Sequence, residues 1–343
     1  YDKKQYDRAY DCFIKSIEID PNFPTVHRNL ALYYFNKKND KEKARLAMEK
    51  AYELDPSDAR VLLELDQLYK KIGLDINERM KLLEDHMEQV CARDDLYLEY
   101  VTLHNLMGQH QKALDLIMSR KFHPWEGGEG KVPAQYKLAL TQLAKQLIDK
   151  ADSTADDIRL AISYLERALV YPHNLGEGKL IGTHDNDIHY LLGVAYDLIN
   201  EDEKAVHHYR KATIGISEPA GMMYYNDQPA DMILYQGLAH LKLGEKEEAG
   251  RKFDKLIKYG KEHMDDHLRI DFFAVSLPDF LIFDEDLDKK NKVHCHYLIG
   301  LGNYGFGRLE EAAKALDQAW KLDNYNCGVA IHRKYVNKEL SKS

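Results

Sequence analysis

The stretch Phe122 to Val132, FHPWEGGEGKV, sets one Trp, two Glu, one Lys and three Gly into a single short connection. Its core, Gly-Glu-Gly-Lys, returns in Tyr171 to Leu180, YPHNLGEGKL. Three chemistries are conceivable for such residues. Gly130-Lys131 hints at a phosphate loop, but the position six before Lys131 is Trp125 rather than Gly. Val132 also stands where Ser or Thr would have to follow, so nucleotide binding is not expected. Glu126 and Glu129 have the carboxylates of an acid–base pair, but glycosidase chemistry is fixed by a carboxylate separation that sequence does not give. The third chemistry is binding. Glu and Lys beside aromatic rings suit a sugar or a loop of another protein. Against all three stands plain packing, with Trp125 filling an apolar notch and the Gly residues allowing unusual backbone angles.

Two histidine clusters also invite a metal. THDNDIHY holds His184, Asp185, Asp187 and His189, and VHCHY holds His294, Cys295 and His296. Neighbouring side chains on a helix point in different directions, so neither spacing makes a ready site. HDND reads instead as a helix start, where Asp and Asn cap free backbone N–H groups. No metal and no cofactor are expected. The four Cys lie far apart without a C-x-x-C pair, which suits free thiols in a reducing compartment and a cytoplasmic location. The formal charge of −9 argues against general nucleic-acid binding. No apolar run is long enough to span a membrane.

The elements that carry these loops are helices in a repeat. In LLGVAYDLINEDEKAVHHYRKA, Gly193 and Tyr196 share one helical face, and Ala205, Tyr209 and Ala212 follow on a second helix. The same order recurs with Gly237, Ala249 and Phe253, and with Gly300, Ala312 and Leu316. Near the front it recurs as Leu30, Ala31 and Tyr34, then Ala44, Met48 and Ala51, with one extra residue in the turn. Ala9 and Phe13 open the chain on a second helix alone. The small residue lets the partner helix approach, and the bulky residue a turn later fills the space. A pair of this size has too little core and must stack on its neighbours.

These residues resemble the tetratricopeptide repeat family. The resemblance implies an all-α, right-handed superhelix of about eight helix pairs, with weaker units over 57–118 and 133–170. It further implies two continuous parts, residues 1–122 and residues 123–343, the second bearing long loops. HPWEGGEGK together with Asp271 to Gly302 resembles the C-terminal repeat region of long bacterial proteins with a β-rich, carbohydrate-related front domain of unassigned function. That likeness implies that this chain is a piece of a longer one, beginning inside a repeat and tapering at YVNKELSKS.

Three long connections fall at the same place in consecutive pairs: 122–132, 171–187 and 214–231. Equivalent loops of a stacked array lie along one rim, and long loops on a rigid scaffold are usually functional. The expected rim presents Trp125, Glu126, Glu129, Lys131, Glu177, Lys179, His184, Tyr224 and Tyr225. The two Gly-Glu-Gly-Lys loops should touch. The expected function is a non-enzymatic scaffold whose rim docks the front domain and borders a carbohydrate-substrate cleft. The alternative is a stand-alone adaptor that holds a separate peptide in the groove, on the face of Tyr190, Val194, Leu234, Leu238, Tyr297 and Leu301. Arg28 and Asn29 are basic and polar on the front repeat, but no second basic set follows to grip a peptide carboxylate.

Overall fold

The structure, a computed structural model, describes residues 5–221, 229–268 and 282–342. Every regular element among them is helical. The chain forms two compact units: unit 1 takes residues 1–103 with 277–285, and unit 2 takes residues 104–276 with 286–343.

Unit 1 begins with α1 (Tyr6–Ile19) and the pair α2 (Pro24–Lys38) and α3 (Lys41–Leu54). It continues through α4 (Ala59–Ile72), α5 (Ile76–Glu84) and the short α6 (Met87–Ala92). The helix α7 (Asp94–Leu106) contains the boundary. Starts are fixed by side-chain caps: Asp40, Asp58 and Asp75 each accept from backbone N–H groups of the first turn. Ala44, Met48 and Ala51 are all fully buried in α3, the small–large–small stripe that the repeat demands. Further along, unit 1 departs from the apolar pattern. Arg79 of α5 and Asp66 of α4 are both fully buried. They form a two-pronged pair, Nε to Oδ1 at 2.8 Å and Nη2 to Oδ2 at 2.6 Å. Glu99 takes a further bond from Arg79 at 2.9 Å and pairs with Lys70 at 3.2 Å. Burial pushes the Glu99 carboxyl up, but Lys70 and Arg79 outweigh it and hold it at about 2. Removing either charge would strand the other in a dry place, typically at a cost of about 3–5 kcal/mol.

Unit 2 holds α8 (His110–Met118) and then four packed pairs. These are α9 (Lys131–Ile148) with α10 (Ala155–Ala168), and α11 (Asn186–Leu198) with α12 (Asp202–Ala212). Next come α13 (Ala230–Lys242) with α14 (Lys246–Glu262), and α15 (Leu287–Gly305) with α16 (Leu309–Leu322). The last helix is α17 (Cys327–Leu340). The repeat spacing has a direct steric cause. A methyl group on Gly193 would meet the Tyr209 ring at 2.4 Å, on Gly237 the Phe253 ring at 2.3 Å, and on Gly300 the Leu316 side chain at 2.7 Å. Each glycine therefore seats the bulky residue of its partner helix, at the same sequence interval in all three pairs. Phe253, Leu298, Leu301 and Leu316 continue this contact into one apolar core.

Candidate functional site

The site begins with the connection between α8 and α9. Phe122 is 1% exposed, and its backbone N–H donates to the Asn174 carbonyl at 2.8 Å. Asn174 belongs to a 3-10 turn, His173–Leu175, in the connection between α10 and α11. Its side-chain amide donates to the carbonyls of Ile117 at 2.9 Å and Arg120 at 3.0 Å. Gly176 follows at φ 78°, and a methyl group there would strike the Phe122 carbonyl oxygen at 2.6 Å. The contact therefore requires a residue without a side chain, which the sequence supplies. A further bond ties the two Gly-Glu-Gly-Lys cores, since the Gly130 N–H donates to Glu177 Oε2 at 2.8 Å. The two loops thus touch at Phe122 and again at Gly130.

Within the first loop, the Trp125 ring lies on Gly128. A methyl group on Gly128 would fall 2.2 Å from the ring, so the indole is seated by its own loop. Glu126 and Glu129 are exposed, and Lys131, also exposed, is the first residue of α9. Partial burial raises the Glu177 carboxyl, Glu129 adds repulsion, and the Gly130 N–H opposes both. Lys179 turns inward. Its ammonium donates to the Leu169 carbonyl at 2.7 Å and pairs with Asp185 at 2.6 Å. Lys137 of α9 pairs with the same carboxylate at 2.9 Å and donates to the His184 carbonyl at 2.8 Å. Burial lowers the His184 imidazole, and Lys137 lowers it further. Tyr224 and Tyr225 lie outside the described residues.

The HDND stretch does not cap its helix as expected. Asp185 stands at the cap position but makes no side-chain cap bond. Its carboxylate is taken by the two lysines instead, because a buried ammonium needs a counter-charge more than a helix start needs a cap. Asn186 is likewise drawn away. Its amide donates to the carbonyls of Ala212 at 2.8 Å and Ile214 at 2.7 Å, pinning the next connection. Gln236 does the same to Ile216 at 3.0 Å, and Asn291 to His263 at 2.6 Å. Single-residue reading missed this series of stapling amides. Its only signal is an Asn or Gln on or beside the apolar face near the start of a first helix. Asp187, which the sequence offers as part of a helix start, has a buried Oδ1 that carries no hydrogen bond among the described residues. Burial pushes the carboxyl up to about 6, against the pull of Lys137 and with added repulsion from Asp231.

The inner face of unit 2 is covered from within the chain. Gln142 of α9 donates to the Tyr335 hydroxyl of α17 at 2.7 Å, and Lys145 sits over the Tyr335 ring at 4.9 Å. His332 lies 2.9 Å from the Tyr297 hydroxyl through Nδ1 and 3.4 Å from the Tyr235 hydroxyl through Nε2. Tyr304 donates to Glu339 at 2.8 Å, and Lys338 pairs with Asp149 at 3.2 Å. α17 thus reaches α9, α13 and α15 at once. Of the groove residues named above, Leu234, Tyr297 and Leu301 belong to the apolar core. In unit 1, Arg28 is spoken for: its guanidinium donates to Glu64 from Nε and, at 2.6 Å, from Nη2. Among the described residues, no group of three His, Cys, Asp or Glu side chains could hold a metal ion. No helix of the described residues is long and apolar enough to cross a membrane.

Tetratricopeptide repeat family models match residues 28–58 and 231–259. Both stretches are similar to tetratricopeptide repeats. The first match covers most of α2 and all of α3, and the second covers most of α13 and α14. Among solved structures, the chain is similar to a tetratricopeptide repeat protein from Parabacteroides merdae. The two are 12% identical with a TM-score of 0.42, over 96% of this chain and 99% of that one. It is similar to the C-terminal part of a repeat-containing protein from Cytophaga hutchinsonii, at 16% identity and a TM-score of 0.38, over 89% and 98% of the two chains. It is also similar to a chain in the structure of Naa15/Naa10 bound to HypK-THB, at 12% identity and a TM-score of 0.41. That match covers 98% of this chain but 54% of the other, so this chain spans about half its length.

Proposed function

We propose that this chain is a protein-interaction scaffold and that the joined loops of unit 2 are its docking rim. The observation that carries the reading is the Gly130–Glu177 bond, which fastens two loops together beside bare apolar residues. Leu180 is 68% exposed and Ile181 107% exposed, in the same connection as Glu177. Ile214 and Ile216, in the connection after α12, are 70% and 59% exposed. Large apolar side chains left exposed in these connections suit burial against another protein surface. Glu126, Glu129 and Lys131 would form the polar border of that contact. The partner we assign is a front domain of the same polypeptide, with the rim bordering a carbohydrate cleft of that domain.

The adaptor alternative places a separate peptide on the inner face. In unit 2 that peptide would first have to displace α17, which favours the rim.

The test is association with the region encoded ahead of Tyr1, measured by calorimetry on purified partners. Ile181→Glu together with Glu129→Ala should weaken binding at least tenfold while leaving the melting temperature of the scaffold unchanged. Equal affinity of the variant and the parent chain would remove the rim from the contact. Binding that falls only with Tyr297 or Tyr190 variants would favour the groove.

A further inference from the structure

Unit 1 holds a short non-helical piece of its own chain, Ile282 to Asp284, against α2. Asn36, near the end of α2, uses both halves of its side-chain amide on one stretch of backbone. Its Nδ2 donates to the Ile282 carbonyl at 2.7 Å, and its Oδ1 accepts from the Asp284 N–H at 2.8 Å. This is the donor–acceptor pairing that a neighbouring strand would offer, and it reads backbone without regard to sequence. Between the two bonded residues, Phe283 is 1% exposed, and its ring meets the Phe35 ring edge-on at a centroid distance of 5.1 Å. Beyond it, Lys37 lies 3.4 Å from the Asp284 carboxylate. Three successive residues of α2 therefore supply an aromatic wall, a backbone clamp and a cation.

We infer that this face of α2 is a binding site for short non-helical segments in which a Phe is followed by an acidic residue. Ile282 to Asp284 would be its occupant in the chain itself. The division of labour supports this reading. The amide supplies affinity for backbone that presents a carbonyl and the N–H two residues on, the Phe35 wall selects an aromatic ring, and Lys37 selects the acid that follows. Packing alone would need only the buried Phe. It would not call for an amide matched at both ends to the carbonyl before that ring and the N–H after it. A partner presenting the same chemistry would compete with the internal segment for the site. The inference concerns unit 1 alone and is independent of the rim.

The internal segment is tethered, so its effective concentration is on the order of millimolar and hides the site from a free peptide. The test therefore weakens the tether's anchor. The full chain carrying Phe283→Ala is titrated into a fluorescent peptide of residues 279–287, DFLIFDEDL, and anisotropy is read. The Phe283→Ala chain is expected to bind the peptide at least tenfold more tightly than the parent chain does. Adding Asn36→Ala, or placing Ala at the Phe283 position of the peptide, should each abolish that gain. A folded Phe283→Ala chain that ignores the peptide at 1 mM, or binds it equally with and without Asn36, overturns the proposal. Should Phe283→Ala fail to fold, Phe283→Leu keeps the apolar volume and takes its place. The absence of Asn36-dependent peptide binding there overturns the proposal equally.

Discussion

A glycine and a ring set the repeat at the level of single residues. Gly237 leaves room for Phe253, which is itself 1% exposed. Adding two methyl groups and a Cβ, as in Gly237→Val, must push that ring or the helix behind it aside. Overpacking of this kind typically costs about 1–3 kcal/mol. Gly237→Val is therefore expected to lower the urea midpoint, and Phe253→Leu should recover part of the loss by vacating the collision. A double-mutant cycle measures this, and simple additivity of the two changes would show that they do not share the space. Such pairs were legible in the sequence because each is a steric fit between two neighbouring helices at a fixed interval. The amides of Asn174, Asn186 and Gln236 were not. Each bonds a carbonyl in another connection, and no periodicity announces which one. Asp187 was read as a helix-start signal for a similar reason. Its environment is made by Lys137 and Asp231, which lie on α9 and α13.

Among the elements, the helices were the readily legible part, since a glycine facing a bulky side chain fixes both members of the α11–α12, α13–α14 and α15–α16 pairs. The role of α17 was not. Its sequence reads as a charged, tapering end, yet Tyr335 is 8% exposed and anchors the helix against α9. The reason is that its partners lie several pairs back along the chain. α17 also closes one side of a cavity of about 250 Å3 beside His110, Gln142 and Lys334. Tyr335→Phe removes a hydroxyl and leaves the buried Gln142 amide short of a partner, a loss of about 1–3 kcal/mol. Tyr335→Ala removes the ring as well and should cost about 3–5 kcal/mol. Hydrogen exchange distinguishes local from global effects. In Tyr335→Ala the amides of α17 should exchange faster, while those of α11 and α12 keep their protection. If α17 remains as protected as before, its contacts with α9 contribute nothing to holding it in place.

At the scale of the whole molecule, acid should act on unit 2 through its histidines. His110 and His332 are 4% and 2% exposed, and burial lowers both imidazoles to about 4. Lys334 adds to the effect at His110, while the Gly328 carbonyl and Asp187 oppose it at His332. His189 and His208 are also lowered to about 4, first by burial, with Lys211 and neighbouring imidazoles adding to it. Their Nδ1 atoms are 3.1 Å apart, so the pair has no room for two protons. The unfolded chain takes up these protons near pH 6.5, and the folded chain resists until about pH 4. Stability is therefore full above pH 6.5 and falls as the pH drops through that window, since the unfolded state binds more protons. For His110 and His332 the loss by pH 5 amounts to at most about 2 kcal/mol each. Asp187 works the other way. Its carboxyl sits at about 6 in the folded state, so it binds a proton there first and returns about 1 kcal/mol by pH 5. Glu177 and Asp231 are raised as well and share that sign. Both tryptophans, Trp125 and Trp320, belong to unit 2, so tryptophan emission during urea unfolding reports on this unit. The midpoint should fall between pH 7 and pH 5. In His332→Asn the fall should be shallower, because one resisting imidazole is gone. In Asp187→Asn it should be steeper, because the opposing carboxyl is gone. A pH profile identical in all three chains would mean that these buried groups do not couple protonation to folding.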